Sequence, residues 1–277
     1  MVNFKHIRVE DYGHVMICFL SNPPTHTLTG EGVFEISNLL DDLKEKNDLR
    51  VLAFTGEGSD VFIKHYEVGE LSQTANSNIK EKKEDLDAPK ELHGFHKMLL
   101  KLRDLDAIVV AGINGNTAGG GCEFSLGCDL RVMSEGEYFI GLPETSVGIL
   151  PGGGGTQRLA RMIGSSRAMD LILHARLMTN TEAFDYGLIN KLIPQKTFRE
   201  GLKDYCEDLA SRAPIALREV KRAIHRGLEV SLEEGLRLEQ EAFNKTMNSN
   251  DAARAMRDLL NNEEDINEPS ENKWQGN

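Results

Sequence analysis

Three adjacent glycines, Gly119, Gly120 and Gly121, constrain this 277-residue chain more than any other feature. They follow an apolar run, Ile108-Val109-Val110-Ala111, that reads as a buried strand. They precede Cys122-Glu123-Phe124-Ser125-Leu126, which can begin a helix. Strand, glycine turn and helix start leave backbone N–H groups without internal acceptors, at the electropositive end of the helix. Glycine also removes the side chains that would hold a ligand away. Such a site suits an anionic oxygen, either a phosphate or a negative charge that develops during a reaction. Glu123 decides between the two. A carboxylate one turn away repels a phosphate, whereas beside an oxyanion site it can act as acid or base.

The length fits one large domain or one domain with an appendage. A net charge of −12 argues against a nucleic-acid partner, because phosphate contacts need a basic surface. Cys18, Cys122, Cys128 and Cys206 stand in mostly apolar contexts without CxxC spacing, and read as buried reduced thiols. The N-terminus has no long apolar core, and no run approaches the ~18 apolar residues of a membrane span. A cytoplasmic enzyme with no membrane partner is the default expectation.

Along the chain, 4–9 and 14–20 flank Asp11-Tyr12-Gly13 and predict a β-hairpin. Residues 28–46 show helical periodicity, with Phe34, Leu39, Leu40 and Leu43 on the inner side. Residues 49–54 form a strand, and 60–71 a loop leading into a helix. The stretch 72–89 is polar, lacks apolar periodicity and predicts a mobile loop. A helix over 91–104 puts Leu92, Phe95, Leu99 and Leu102 inward, and short strands follow at 130–133 and 138–140. This alternation predicts an α/β architecture through the first two thirds. Beyond 151–155 the chain reads as nearly all helix, at 165–175, 181–187, 198–211, 214–226, 231–248 and 250–260. Ser231 with Glu234 fits a capping box and Pro214 a first helical position. The tail from Asn261 is acidic and predicts fraying. These helices carry apolar faces with no strands to cover, which points to an oligomerisation region.

A second carboxylate, Glu144, stands in a Pro- and Gly-bounded stretch, Gly141-Leu142-Pro143-Glu144 onward, ending in Pro151 and Gly152 to Gly155. Buried carboxyls have raised pKa values and can hold or deliver a proton near neutrality. Two such glutamates beside an oxyanion site make an acid/base pair. The nucleotide alternatives fail in detail: Gly152 to Thr156 lacks the lysine of a P-loop, and Gly115 to Gly121 misses the dinucleotide spacing. His93 and His96 are spaced i, i+3 without a third ligand, so no metal site is expected.

Taken together, N-G-x-x-x-G-G-G-C-E followed by C-D, and L-P-E-x-x-x-G-I-x-P-G-G-G-G-T-Q-R-L, resemble the enoyl-CoA hydratase/isomerase family, the crotonase superfamily. So do Asn22-Pro23-Pro24 before Leu28-Thr29 and the strand and turn at 51–58. The similarity covers almost the whole chain. It implies a spiral of ββα turns over 1–195, holding a CoA-thioester site, and a helical trimerisation region over 196–277. It also implies an acyl-CoA substrate, a homotrimer or dimer of trimers, and no cofactor, coenzyme A being part of the substrate. By position, Gly120 and Lys64 match the two backbone oxyanion donors, and Glu123 and Glu144 the two glutamates that add water across the 2,3 double bond of a trans-2-enoyl-CoA. Pro24, His26, Leu28, Phe62, Tyr66, Glu67, Val68 and Gly119 fall where the family binds the CoA thioester. The family loop F-x-A-G-x-D-L is here Phe62-Ile63-Lys64-His65-Tyr66-Glu67-Val68, with His65 for glycine and Glu67 for aspartate. Isomerisation, hydrolysis or lyase chemistry on the same scaffold, and a CoA-ester- or RNA-binding role without turnover, are the alternatives. The presence of both glutamates favours hydration.

Overall fold

The computed structural model describes residues 4–80, 91–261 and 274–277. Strands β1 (Ile7–Asp11) and β2 (Val15–Leu20) form the hairpin, antiparallel, with Ile7 opposite Leu20. Helix α1 (Gly30–Leu43) is capped by Thr29, whose hydroxyl accepts the Gly32 N–H at 3.0 Å. Its inner face is Val33, Ile36, Leu39, Leu40 and Leu43. Phe34, expected inward, is 65% exposed, because it stands about 100° round the helix from Val33. Strand β3 (Val51–Gly56) then pairs parallel to β2.

The stretch expected as a polar loop is helical in its first part. Helix α2 (Val68–Lys80) buries none of its residues, which is why apolar periodicity does not reveal it. Glu70 in its first turn and Lys80 in its last suit the helix dipole. The rest of that loop reading, 81–89, lies outside the described residues. Helix α3 (Gly94–Asp104) buries Phe95, Met98, Leu99 and Leu102, whereas Leu92 precedes it and is exposed. Next come β4 (Ile108–Ile113), β5 (Thr117–Ala118), α4 (Gly120–Gly127), β6 (Leu130–Ser134) and β7 (Phe139–Gly141). The chain continues through α5 (Gly155–Ile163), α6 (Ser165–Leu173), β8 (Leu177–Thr179), α7 (Asn180–Asp185) and β9 (Lys191–Ile193). It closes with α8 (Phe198–Ala210), α9 (Pro214–Gly227), α10 (Leu232–Met247) and α11 (Asn250–Leu260). The last third is therefore not purely helical. Strands β8 and β9, three residues each, are too short to show a period of two.

A six-stranded sheet runs β1-β2-β3-β4-β6-β9, parallel beyond the first pair, and a smaller sheet runs β5-β7-β8. Strands β2, β3 and β4 are buried on both faces, as continuous apolar runs predict. Alternation divides their side chains. Cys18, Leu52, Phe54, Val109 and Ile113 join the core with α1, α3 and α4. Val15, Ile17, Val51, Ala53 and Val110 face Phe198, Leu202 and Cys206 of α8. Helix α8, assigned by sequence to the C-terminal region, thus covers the second face of the sheet. The tail returns to the body at 274–277: the Arg50 guanidinium donates to the Trp274 carbonyl, and the Gln275 and Gly276 N–H groups donate to Asp251. For function, the large sheet carries β4 and the small sheet β5 into the glycine turn.

Candidate active site

Gly119 caps α4 with φ +49, a left-handed conformation that favours glycine, and its N–H donates to the Gly141 carbonyl at 2.9 Å. This turns the chain so that α4 starts at Gly120, whose N–H has no acceptor among the described residues. A side chain at Gly120 would collide with Tyr66, since its Cβ would stand 2.8 Å from the Tyr66 Cβ and 3.1 Å from the Tyr66 nitrogen.

That contact corrects the sequence assignment of the second amide. The Lys64 N–H, expected to face the same point as that of Gly120, instead donates to the His26 carbonyl at 2.8 Å. The reason is a parallel bridge between Leu28 and Tyr66. The Leu28 N–H donates to His65 and the Glu67 N–H to Leu28, at 2.9 and 2.8 Å. A bridge of this kind turns the backbone of its central residue, Tyr66, to the opposite edge. The Tyr66 N–H has no acceptor among the described residues and lies beside Gly120. The adjacent amides free for an incoming oxygen are those of Tyr66 and Gly120.

Both glutamates reach this turn. Glu123, in the first turn of α4, is 4% exposed. Its Oε1 accepts the N–H groups of Gly153 and Gly155 at 2.6 and 2.8 Å, the latter opening α5. Burial pushes its pKa up, opposed by these two amides and by Arg158 and His93. Glu144 begins a single 3₁₀ turn, Glu144–Val147, after Pro143. Its Oε1 lies 3.0 Å from where a Gly119 Cβ would stand, and its Oε2 is buried without a hydrogen-bond partner among the described residues. Burial, with the nearby charge of Glu123 adding to it, pushes its pKa up to about 7, against its own backbone amide. Glu123 is held by two amides of another segment, Glu144 only by its own.

The remaining expected residues divide by whether their side chains can touch a ligand. Phe62 and Leu28 are buried in the core, Phe62 tilted against Phe124 with ring centroids 6.0 Å apart, and both line a small cavity with His26. Glu67 is a local strut, accepting the Thr27 hydroxyl at 2.7 Å and the Gly69 N–H at 3.2 Å. Tyr66 is half-buried, its hydroxyl donating to Glu70 at 2.9 Å and its ring 6.0 Å from Phe95. Pro24 and Val68 are exposed, and His26 is half-buried with a positive φ of 53. His65 is half-buried; its Nδ1 donates to the Tyr66 carbonyl at 2.8 Å, and its Cβ lies 3.8 Å from the Gly119 Cβ position. Cys122 is fully buried, its thiol pushed well up by burial. His93 and His96 stack on each other at 3.9 Å, and no group of three or more potential metal ligands occurs among the described residues. Sequence reasoning missed the Tyr66 amide, the Gly153 and Gly155 cradle, and Phe95, whose ring would be 2.4 Å from a Cβ on Gly153.

A family model described as enoyl-CoA hydratase/isomerase matches residues 10–264. The chain belongs to the enoyl-CoA hydratase/isomerase family. Within it, the chain is 30% identical over 258 residues to the short-chain-enoyl-CoA hydratase of Clostridium acetobutylicum, covering 92% of this chain and 94% of that one. It is also 30% identical over 252 residues to the human mitochondrial methylglutaconyl-CoA hydratase, covering 89% and 71%. Among solved structures, the enoyl-CoA hydratase of Bacillus anthracis superposes with a TM-score of 0.85 at 29% identity, over 99% of this chain and all of that one. The mixed α/β architecture is that of the crotonase-fold members of this family.

Proposed function

We propose that the protein is an enoyl-CoA hydratase acting on a trans-2-enoyl-CoA. The observation that carries the reading is a pair of free amides, Tyr66 and Gly120, at a turn that Glu144 meets through Gly119 and that opens the helix carrying Glu123, the two carboxyls being near enough to feel each other's charge. The thioester carbonyl sits on the Tyr66 and Gly120 N–H groups, which stabilise the negative charge that gathers on its oxygen. Loss of one such donor typically costs about 2.7–4 kcal/mol of barrier. Glu123, fixed through Oε1 by two amides and facing Arg158, is the carboxylate that holds a water molecule and takes its proton. Glu144, with a pKa of about 7, holds the proton delivered to carbon 2. Water gives a proton to Glu123 and its oxygen joins carbon 3 as the 2,3 π bond breaks; carbon 2 takes the Glu144 proton, and passage of the Glu123 proton to Glu144 restores the starting pair. The reaction needs no cofactor beyond the coenzyme A of its substrate.

Lys64 has no part in oxyanion binding in this reading; His26, Pro24 and Val68 border the CoA groove. The site lies within the first 195 residues, and α8 packs on the other face of the sheet. Helices α9 to α11 form the oligomerisation region of a trimer or dimer of trimers, since Ile224, Leu228, Leu232 and Phe243 are all exposed. In our reading the enzyme is cytoplasmic and without a nucleic-acid partner, the second point supported by the net charge of −12; no helix among the described residues is long and apolar enough to cross a membrane. The test is a spectrophotometric assay with crotonyl-CoA, following loss of the conjugated double bond. The wild type consumes it and Glu123→Gln does not; absence of turnover on enoyl-CoAs of several chain lengths overturns the reading.

A further inference from the structure

The glycine loop that cradles Glu123 is itself gripped from outside. The His93 Nε2 is 3.1 Å from the Gly152 carbonyl, and since a carbonyl only accepts, this nitrogen carries the hydrogen. The His93 Nδ1 accepts the His96 N–H at 3.4 Å, capping α3. The next carbonyl, of Gly153, accepts from the Arg158 guanidinium at 3.2 Å. The His96 ring, stacked on His93, lies 3.8 Å from where a Cβ on Gly154 would stand. Two side chains, the α3 cap His93 and Arg158 of α5, therefore hold two successive glycine carbonyls, with the His96 ring beside the third glycine. Fixing the peptide planes on either side of Gly153 fixes where its N–H points, and that N–H, with the one at Gly155, points at Glu123.

We propose that His93 is a positioning residue, which sets the Glu123 carboxylate by holding the Gly152 carbonyl while Arg158 holds that of Gly153. His93 is exposed and touches neither the amide pair nor Glu144 directly. It acts through the loop, on the acid that the hydratase reading makes the base; only its kinetic consequence rests on that reading.

Two substitutions separate the grip from the helix cap. His93→Asn keeps a good N-cap but is too short to reach Gly152. His93→Gln keeps a donor of similar reach and gives up much of the cap. Amide hydrogen exchange at Gly153 and Gly155 reads the grip itself, with or without turnover. Exchange at both is expected to rise about tenfold in His93→Asn and to stay near wild type in His93→Gln, the loss of one hydrogen bond being worth roughly five- to tenfold. In the hydration assay, His93→Asn lowers kcat by about fivefold with KM within twofold, and His93→Gln restores it. Unchanged exchange in His93→Asn, or an equal rise in both variants, overturns the proposal. If the chain hydrates no enoyl-CoA, the hydratase reading fails while the exchange comparison still decides the grip.

Discussion

Glu123 and Glu144 are the same residue type within reach of the same glycine turn, yet they are held in opposite ways. Glu123 sits on a helix whose every residue is buried, and two amides from a loop thirty residues on close over its Oε1. Glu144 sits on a one-turn helix with no buried residue, and its Oε2 is enclosed without a hydrogen-bond partner among the described residues. Two hydrogen bonds to the ionised form offset part of the cost of burying Glu123, whereas only its own backbone amide does so at Glu144, and both pKa values stay raised. In the proposed reaction it is environment, and not residue type, that divides the labour between a carboxylate and a proton holder.

The comparison breaks most visibly if either acid is neutralised. Glu123→Gln and Glu144→Gln are each expected to lower kcat for crotonyl-CoA hydration roughly 10²–10⁴-fold with KM little changed, since each removes a proton transfer and leaves the amide pair intact. Equal activity in either variant, measured by steady-state kinetics, removes that residue from the chemistry. Gly120→Ala comes next. Its methyl meets Tyr66 at 2.8 Å and parts the two amides, so kcat/KM should fall about 10²–10³-fold without altering either carboxyl.

A smaller effect sharpens the difference in protonation. Because the pKa of Glu144 is raised to about 7, it is protonated below neutrality, about half protonated at pH 7, and ionised above. Hydration that draws this proton should decline as pH rises past about 7, in a kcat/KM profile taken from pH 5 to 9. The smallest effect is on stability. A raised pKa means the folded state binds the proton more tightly than the unfolded chain, so the contribution is present at low pH and lost as pH rises through the folded value. Glu144→Gln, which cannot ionise, should therefore gain on the wild type by about 1 kcal/mol in denaturant unfolding at pH 8, with the gap closing toward pH 5.

The strands that carry the turn were legible because β2, β3 and β4 are unbroken apolar runs ended by glycine or polar residues. The turn and both glutamates were legible because their residue types and spacing are unusual. What the sequence could not show was direction. Which amide of the loop around Lys64 faces Gly120 depends on the bridge between Leu28 and Tyr66, a contact between segments far apart in the chain. The Glu123 cradle is hidden for the same reason: Gly153 and Gly155 read as turn residues until the fold brings them against an acid. Helix α2 escaped because it buries nothing, and Phe34 was misplaced because an apolar residue beside the inner stripe is indistinguishable from one within it.

The most direct measurement is the fate of water oxygen. A trans-2-enoyl-CoA incubated with the enzyme in ¹⁸O-labelled water, the product read by mass spectrometry, should yield a 3-hydroxyacyl-CoA carrying the label at carbon 3. The same incubation with a Glu123→Gln, Glu144→Gln double variant should give none above background. Unlabelled product, no hydroxylated product from any chain length, or undiminished labelling by the double variant would contradict a site built from two carboxyls and the amides of Tyr66 and Gly120.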